Sequence, residues 1–139
     1  MAVWQSGDTQ RLDSLLADSV VYDYYPDGTQ YMGRDQVTGY IRHVHAWAGQ
    51  VSLEVTAVHG ASQSAVAEWI MRGVQDRPIQ GRVPIATHRP FTLRGATIVE
   101  LAPGGRIARA ADYIDVLGFV LQLGARVELP GGVTVQTVP

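Results

Sequence analysis

Apolar and polar positions follow two different periods along this chain, helical in its first third and strand-like beyond it. Behind Ser6-Gly7-Asp8, Leu12, Leu15 and Leu16 recur at helical spacing. Asp8 can accept backbone N–H bonds as an N-cap, so the pattern predicts a short helix ending near Asp18. Ser19 to Tyr25, rich in β-branched and aromatic residues, reads as a strand closed by Pro26-Asp27-Gly28. Gly33-Arg34-Asp35 opens a second helix, in which Val37, Tyr40, Ile41, Val44 and Ala48 place one apolar stripe toward the core. From Val51 the period becomes two, with Val51, Leu53, Val55 and Ala57 alternating with Ser52, Glu54, Thr56 and Val58. Further strands are expected at Ala65–Gly73, Phe91–Leu101 and Ile107–Ile114. Ala102-Pro103-Gly104-Gly105 joins the last two as a compact turn, and Val74 to Pro90 is a long hairpin connection. Asp115 is placed to cap a final helix, Val116–Leu123, which Gly124 stops.

Helices first and consecutive antiparallel strands afterwards describe an α+β plan, not an alternating one. A curved antiparallel sheet wrapped around the N-terminal helices, with a short C-terminal helix, leaves a cone, and an unfilled cone is a pocket. At 139 residues the chain fits one domain, read here as residues 1–126. Residues 127–139 form a tail, in which Pro130-Gly131-Gly132 precedes a candidate extra strand at Val133 and Val135.

Composition narrows the chemistry mainly by exclusion. Net charge is −2 and the arginines are scattered from Arg11 to Arg126, which does not supply the clustered positive charge that nucleic acid binding needs. The apolar runs are too short to cross a bilayer, and no basic-then-apolar leader opens the chain, so a cytoplasmic protein without a membrane partner is expected. Without cysteine there is no thiol nucleophile, thiolate metal site or disulfide. Without lysine there is no Schiff base, and without asparagine one common oxyanion donor is missing. Charged residues, at 17%, are sparse, which points to extra buried surface such as a homodimer contact through the outer sheet face.

Three segments in order resemble the SnoaL-like branch of the nuclear-transport-factor-2-like superfamily. The first is Trp4-Gln5-Ser6-Gly7-Asp8 with Leu15-Leu16-Ala17-Asp18-Ser19-Val20-Val21-Tyr22; the second is Gly33-Arg34-Asp35-Gln36-Val37 with Ala67-Glu68-Trp69-Ile70-Met71-Arg72-Gly73. The third is Gly104-Gly105-Arg106-Ile107 with Asp112-Tyr113-Ile114-Asp115 and Gln122-Leu123-Gly124. The resemblance implies a cone fold that hosts polyketide cyclases, ketosteroid isomerases, limonene-type epoxide hydrolases and non-catalytic proteins, so the pocket must decide the activity. It also implies more helix ahead of Trp4 than this chain carries. Either the chain is naturally short or its first helix is truncated, which would open one side of the pocket.

By the same resemblance, Asp112 stands where the cyclases and limonene-type hydrolases carry a catalytic Asp, at the end of the last long strand. Strand alternation puts it on one face with Ala108, Ala110 and Ile114, where desolvation raises a carboxyl pKa toward neutrality. Such an acid can move a proton beside a carbonyl. The plainer alternative is a structural pair with an Arg, or help for Asp115 in capping the last helix. Tyr22 and Tyr24 share a strand face and either could donate to an oxygen gaining charge; buried strand tyrosines are also ordinary core residues. In the hydrolases the matching pair is Tyr and Asn, and the positions of Trp69 and Met71 carry Arg and a second Asp. This chain therefore lacks the acid pair for epoxide opening, while its indole and thioether suit an apolar wall. Cyclases of the family also carry a His near the strand before the last, and Ala96-Thr97-Ile98-Val99-Glu100 has none.

Glu68, on the opposite face, could pair with Arg94 or Arg109. His43 and His45 diverge on their helix, and His88 in the long connection could swing over the pocket mouth as a lid base. No phosphate loop, dinucleotide fingerprint or histidine cluster is present, so neither cofactor nor metal is expected. The leading reading is an enzyme acting on a small hydrophobic polyketide-, terpenoid- or steroid-like carbonyl compound by aldol cyclisation or isomerisation. Asp112 would be its acid/base and Tyr22 would steady the oxygen. Tyr24, Trp69, Met71, Leu93, Thr97, Phe119 and His88 would shape the site. The rivals are an epoxide hydrolase with its second acid rebuilt elsewhere, and a non-catalytic ligand-binding dimeric module.

Overall fold

The computed structural model describes residues 6–136, so Trp4 and Gln5 of the first family-like segment lie outside the described residues. Asp8 accepts from the Gln10 amide at 3.0 Å and opens a 3-10 turn, Thr9–Arg11, which runs into helix α1, Leu12–Leu15. This helix ends earlier than the leucine spacing predicts, because strand β1 already begins at Leu16 and runs to Tyr24. Leu12 and Leu16 reach the same core cluster from two different elements, whereas Leu15 is left 46% exposed.

A strand not anticipated from the sequence, β2 (Thr29–Met32), folds back on β1 as an edge hairpin. Asp27 stabilises the turn by accepting from the Thr29 amide at 2.9 Å, and Gly28 supplies the left-handed φ of 73°. Helix α2 (Gly33–Trp47) buries Val37, Ile41, Val44 and Trp47 along one stripe. Each such side chain contributes about 1.5–3 kcal/mol by leaving water, which fixes the helix against the sheet.

After α2 come β3 (Ala48–Gly60), β4 (Ser64–Gln75), β5 (Pro90–Leu101), β6 (Ile107–Ile114) and helix α3 (Val116–Gln122). Asp115 caps α3 by accepting from Gly118 N at 2.8 Å, the structural role its position implied. The tail forms its own hairpin, β7 (Val127–Leu129) with β8 (Val133–Val135), where the sequence suggested a single strand.

The six-stranded sheet has the order β2-β1-β6-β5-β4-β3. It is not wholly antiparallel. α2 carries the chain from the β1–β2 hairpin to the far edge, and the strands return one by one until β6 meets β1 in parallel. Register shifts between Gly49 and Ser52 and between Val55 and Ala57 mark irregularities that bend the β3–β4 ribbon. The curved sheet wraps α2 and leaves two core clusters, one around Val20, Tyr22 and Ile41, the other around Trp47, Met71 and Phe91.

On the outer face Arg109 binds Asp23 at 2.7 Å and Glu100 at 3.0 Å, not Glu68. These half-exposed pairs order the β1–β6–β5 surface and contribute little stability each. Among the described residues no helix is long and apolar enough to cross a membrane.

Candidate active site

The inner faces of the sheet, α2, α3 and the connection between β4 and β5 enclose a cavity of about 220 Å³. It draws its lining from both core clusters. Val44 and Trp47 come from α2, Leu53 from β3, Trp69 and Met71 from β4, Leu93 from β5, and Ile114, Phe119 and Val120 from the C-terminal end. Tyr24, Tyr31 and Tyr40 add a phenol-bearing wall in which the Tyr31 and Tyr40 rings stack at 4.7 Å. His43, Gln80 and Arg82 also line the space but are exposed, and so form its polar rim.

Asp112 is the one carboxylate in this lining, and it is only 4% exposed. Three register relations bring its partners to it. β6 pairs with β1 so that Tyr24 lies beside Asp112, with Tyr22 one inward-facing position earlier. β6 pairs with β5 so that Thr97 lies directly opposite. β4 pairs with β5 so that Trp69 faces Gly95, whose missing side chain gives the indole room. A Cβ at Gly95 would sit 2.5 Å from the Trp69 ring and 2.9 Å from the Tyr113 carbonyl oxygen.

The result is a chain of side-chain hydrogen bonds across three neighbouring strands and on to β1. Trp69 Nε1 donates to Thr97 Oγ1 at 2.9 Å, and Thr97 Oγ1 donates to Asp112 Oδ1 at 2.5 Å. Tyr22 Oη donates to the other oxygen, Oδ2. Burial pushes the Asp112 carboxyl above its ordinary value, and the bonds from Thr97 and Tyr22 oppose that rise without cancelling it. Among the described residues no arginine is paired with it, unlike the structural Arg pair considered from the sequence. Burial and the neighbouring acid also raise the Tyr22 phenol well above its usual pKa, which keeps it protonated.

Arg82 sits at the rim, its guanidinium 5.4 Å from the Tyr24 ring centroid and paired with Asp27 of the β1–β2 turn. Burial raises the Tyr24 phenol above its ordinary pKa, and the nearby Arg82 guanidinium opposes that rise without cancelling it. Among the described residues no group of three or more His, Cys, Asp or Glu side chains could hold a metal ion.

With this geometry in place, comparison with known proteins becomes informative. A sequence model of the SnoaL-like domain matches residues 1–110. The chain belongs to the SnoaL-like family. Among solved structures it is similar to TsrD from Streptomyces laurentii, with 27% identity, a TM-score of 0.77, and 89% of this chain and 88% of that one covered. It is similar also to IdmH from Streptomyces antibioticus, described as a candidate polyketide cyclase (23%, TM-score 0.74, coverage 89% and 92%). A protein of ketosteroid isomerase-like fold from Catenulispora acidiphila is a third (23%, TM-score 0.69, coverage 87% and 85%). The last two likenesses establish the fold. No curated protein matches the chain at the sequence level.

In this SnoaL-like protein the side chains singled out from the sequence do not all meet at the cavity. Asp112, Tyr24, Trp69, Met71, Leu93, Thr97 and Phe119 line it. Tyr22 does not, because its hydroxyl is spent on Asp112 from the buried side. His88 lies outside the lining, 71% exposed at its side chain and 3.7 Å from Asp76, because the connection turns it outward at a left-handed φ of 53°. Sequence reasoning missed Arg82, Gln80, Ile79 and Val83, which sit in a segment without periodicity. It also passed over His43, whose helical position next to Val44 placed it beside the apolar stripe. Tyr40 was assigned to that stripe, and its contact with the Tyr22 and Tyr24 rings makes it part of the site wall.

Proposed function

We propose that the protein is an enzyme that moves a proton on a small hydrophobic carbonyl compound, with Asp112 as general acid/base. The observation that carries this reading is a buried carboxylate facing a mostly apolar cavity, held only by neutral donors and shifted toward neutrality. In that state the group can accept a proton from a carbon next to a carbonyl and return it, which is the core step of both isomerisation and aldol cyclisation. As the C–H bond breaks, its electron pair moves to the carbonyl oxygen and the proton joins Asp112.

The oxygen that gains charge needs a donor. Tyr22 faces Asp112, so the role falls to Tyr24, which lines the cavity with the Arg82 guanidinium close to its ring. The volume of about 220 Å³ suits a compound of one or two rings. Trp69, Met71, Leu93 and Phe119 would pack its apolar faces, with the polar rim of His43, Gln80 and Arg82 meeting its outer end. Epoxide hydrolysis by an acid pair is not supported, because the lining holds no second carboxylate. The outer sheet face, where Tyr25 and Tyr113 are half exposed, is the surface we read as a homodimer contact.

The test is proton exchange. A panel of cyclic ketones and β-diketones would be incubated in D₂O and followed by NMR for label entering the carbon next to the carbonyl. Exchange catalysed by the wild type and lost in Asp112→Asn supports the reading. Equal exchange in both proteins overturns it.

A further inference from the structure

The deep end of the cavity holds its single carboxylate, and the rim carries charge of the opposite sign. His43, Gln80 and Arg82 form that rim, and none of them is acidic. Asp112 draws its shift from burial, Thr97 and Tyr22, so the Arg82 guanidinium is not what sets the acid/base. Tyr24 spans the two ends. Its backbone pairs beside Asp112, while its ring meets Arg82 at 5.4 Å.

The turn that carries Arg82 is fixed on the cavity wall. Ile79 N donates to Val83 O at 2.8 Å, Val83 N donates back to Ile79 O at 2.9 Å, and Arg82 N donates to the same oxygen at 3.0 Å. Gly81 supplies the left-handed φ of 75° that closes the turn. Ile79, 4% exposed, and Val83 pack into the apolar lining. Arg82 is thereby preplaced at the mouth, with its side chain 47% exposed. Asp27 binds it at Nη2, and the planar guanidinium fork has N–H donors for a second carboxylate.

We propose that Arg82 anchors an anionic group of the substrate, so that the compound taken up carries a carboxylate at the end away from the reacting carbonyl. This deepens the proton-transfer reading and rests on it for the carbonyl; the anion is argued from the rim. A carboxylate at the deep end would be desolvated beside a like charge on Asp112, whereas at the rim it meets Arg82 and keeps part of its water. One orientation follows, with the apolar body against Trp69, Met71 and Leu93 and the carbonyl toward Asp112 and Tyr24. Asp27 lies outside the lining and competes with the substrate for the guanidinium.

Binding of an isosteric pair, 2-naphthoate and 2-naphthamide, tests this without turnover. Trp47 and Trp69 line the cavity, so quenching of tryptophan fluorescence in the full chain reports occupancy. The wild type should bind naphthoate about fivefold more tightly than naphthamide, a margin suited to a half-exposed ion pair and one that narrows as salt rises. Arg82→Gln should bring naphthoate down to the level of naphthamide. Asp27→Asn should widen the margin by about twofold, because the competing carboxylate is gone.

The opposite sign of the two variants separates an anion anchor from a latch that merely ties the turn to the β1–β2 hairpin. A wild type without preference for naphthoate would overturn the proposal, as would Asp27→Asn and Arg82→Gln weakening naphthoate alike. If Arg82→Gln weakens both ligands, Asp27→Asn decides: tighter naphthoate supports the anchor and weaker naphthoate refutes it. Absence of catalysed proton exchange leaves these affinities as they are, and equal affinities leave proton exchange standing, so the two readings fail separately.

Discussion

Asp112→Asn replaces a buried charge by a neutral group of the same shape, and it should make the protein more stable at neutral pH. Thr97 can still donate to the amide oxygen, and the amide N–H₂ can donate to Tyr22 Oη once the phenol reverses. The folded chain holds the Asp112 proton more tightly than the unfolded chain, because burial raises the carboxyl above its ordinary 3.8. Below that pH both states are protonated and the residue costs nothing. As pH rises, the unfolded chain ionises first and is favoured, so stability falls until the folded group ionises too, and above that point the penalty is complete.

Each unit of difference between the two states is worth about 1.4 kcal/mol. Only differential burial counts here, since the two donors already oppose it and reappear as weaker neutral bonds in the variant. A net gain of roughly 1–2 kcal/mol at neutral pH follows, or about 3–8 °C in melting temperature for a chain of this size. Urea titrations of wild type and variant between pH 4 and 8 would measure it. The gain should shrink steadily on acidification. A variant less stable than the wild type at neutral pH, or a gain that ignores pH, would refute the claim that Asp112 is a desolvated acid. A variant that is both sturdier and inactive is the expected signature of a strained functional group.

Tyr22→Phe should keep the aromatic packing against Tyr31 and Tyr40 and lose about 1 kcal/mol, while raising the Asp112 midpoint seen by ¹³C NMR because a donor to the charged form is gone. Gly95→Ala puts a methyl against the Trp69 ring and the Tyr113 carbonyl, so it should cost roughly 1–3 kcal/mol and change tryptophan fluorescence as the indole leaves Thr97. Gln75 is 0% exposed, and its amide binds Arg77 O at 2.6 Å, Ile85 O at 2.9 Å and the Thr87 amide and hydroxyl at 2.6 Å each. Gln75→Leu should strand these groups, cost roughly 2–4 kcal/mol, and make the segment 76–89 the first site of limited proteolysis.

Where one physical rule dominated, the sequence was legible. The stripe in α2 and the alternation in β3 and β6 follow directly from one face meeting the core, and the Asp8 and Asp115 caps follow from orphan amides. Strand β2 escaped notice because it is a short edge strand with no buried residue in it. The early end of α1 escaped notice because Leu12 and Leu16 suit a helix as well as they suit a helix–strand corner. Asp112 could be singled out chiefly because the family resemblance implies a catalytic Asp at its position, and its strand face shared with Ala108, Ala110 and Ile114 adds the cost of a desolvated carboxylate. Its partner Thr97 could be chosen as a lining residue, but the bond from Trp69 depends on the β4–β5 register, which no local pattern reveals. The placement of Tyr22 behind Asp112 depends likewise on the parallel β1–β6 pairing. Arg82 belongs to a connection whose path is set by Gln75, and that amide looks like any other strand residue until the fold buries it.

The single carboxylate also limits what the cavity can do. Opening an epoxide with water needs a base to activate the water and an acid to protonate the ring oxygen in the same step. Asp112 can be one or the other at a given moment. The phenols cannot supply the missing acid readily, since burial raises Tyr24 and Tyr40 above their ordinary pKa and weakens them as proton donors. A reaction that takes a proton and then gives one back uses the same carboxyl twice and needs no partner of matched strength. Isomerisation and aldol closure are of that kind, with charge resting on an oxygen that Tyr24 can stabilise by a hydrogen bond without surrendering its own proton. Exchanging a second acid for Trp69 and Met71 therefore changes more than the shape of the wall. On the proposed reading it removes simultaneous acid–base chemistry and favours sequential proton transfer through Asp112.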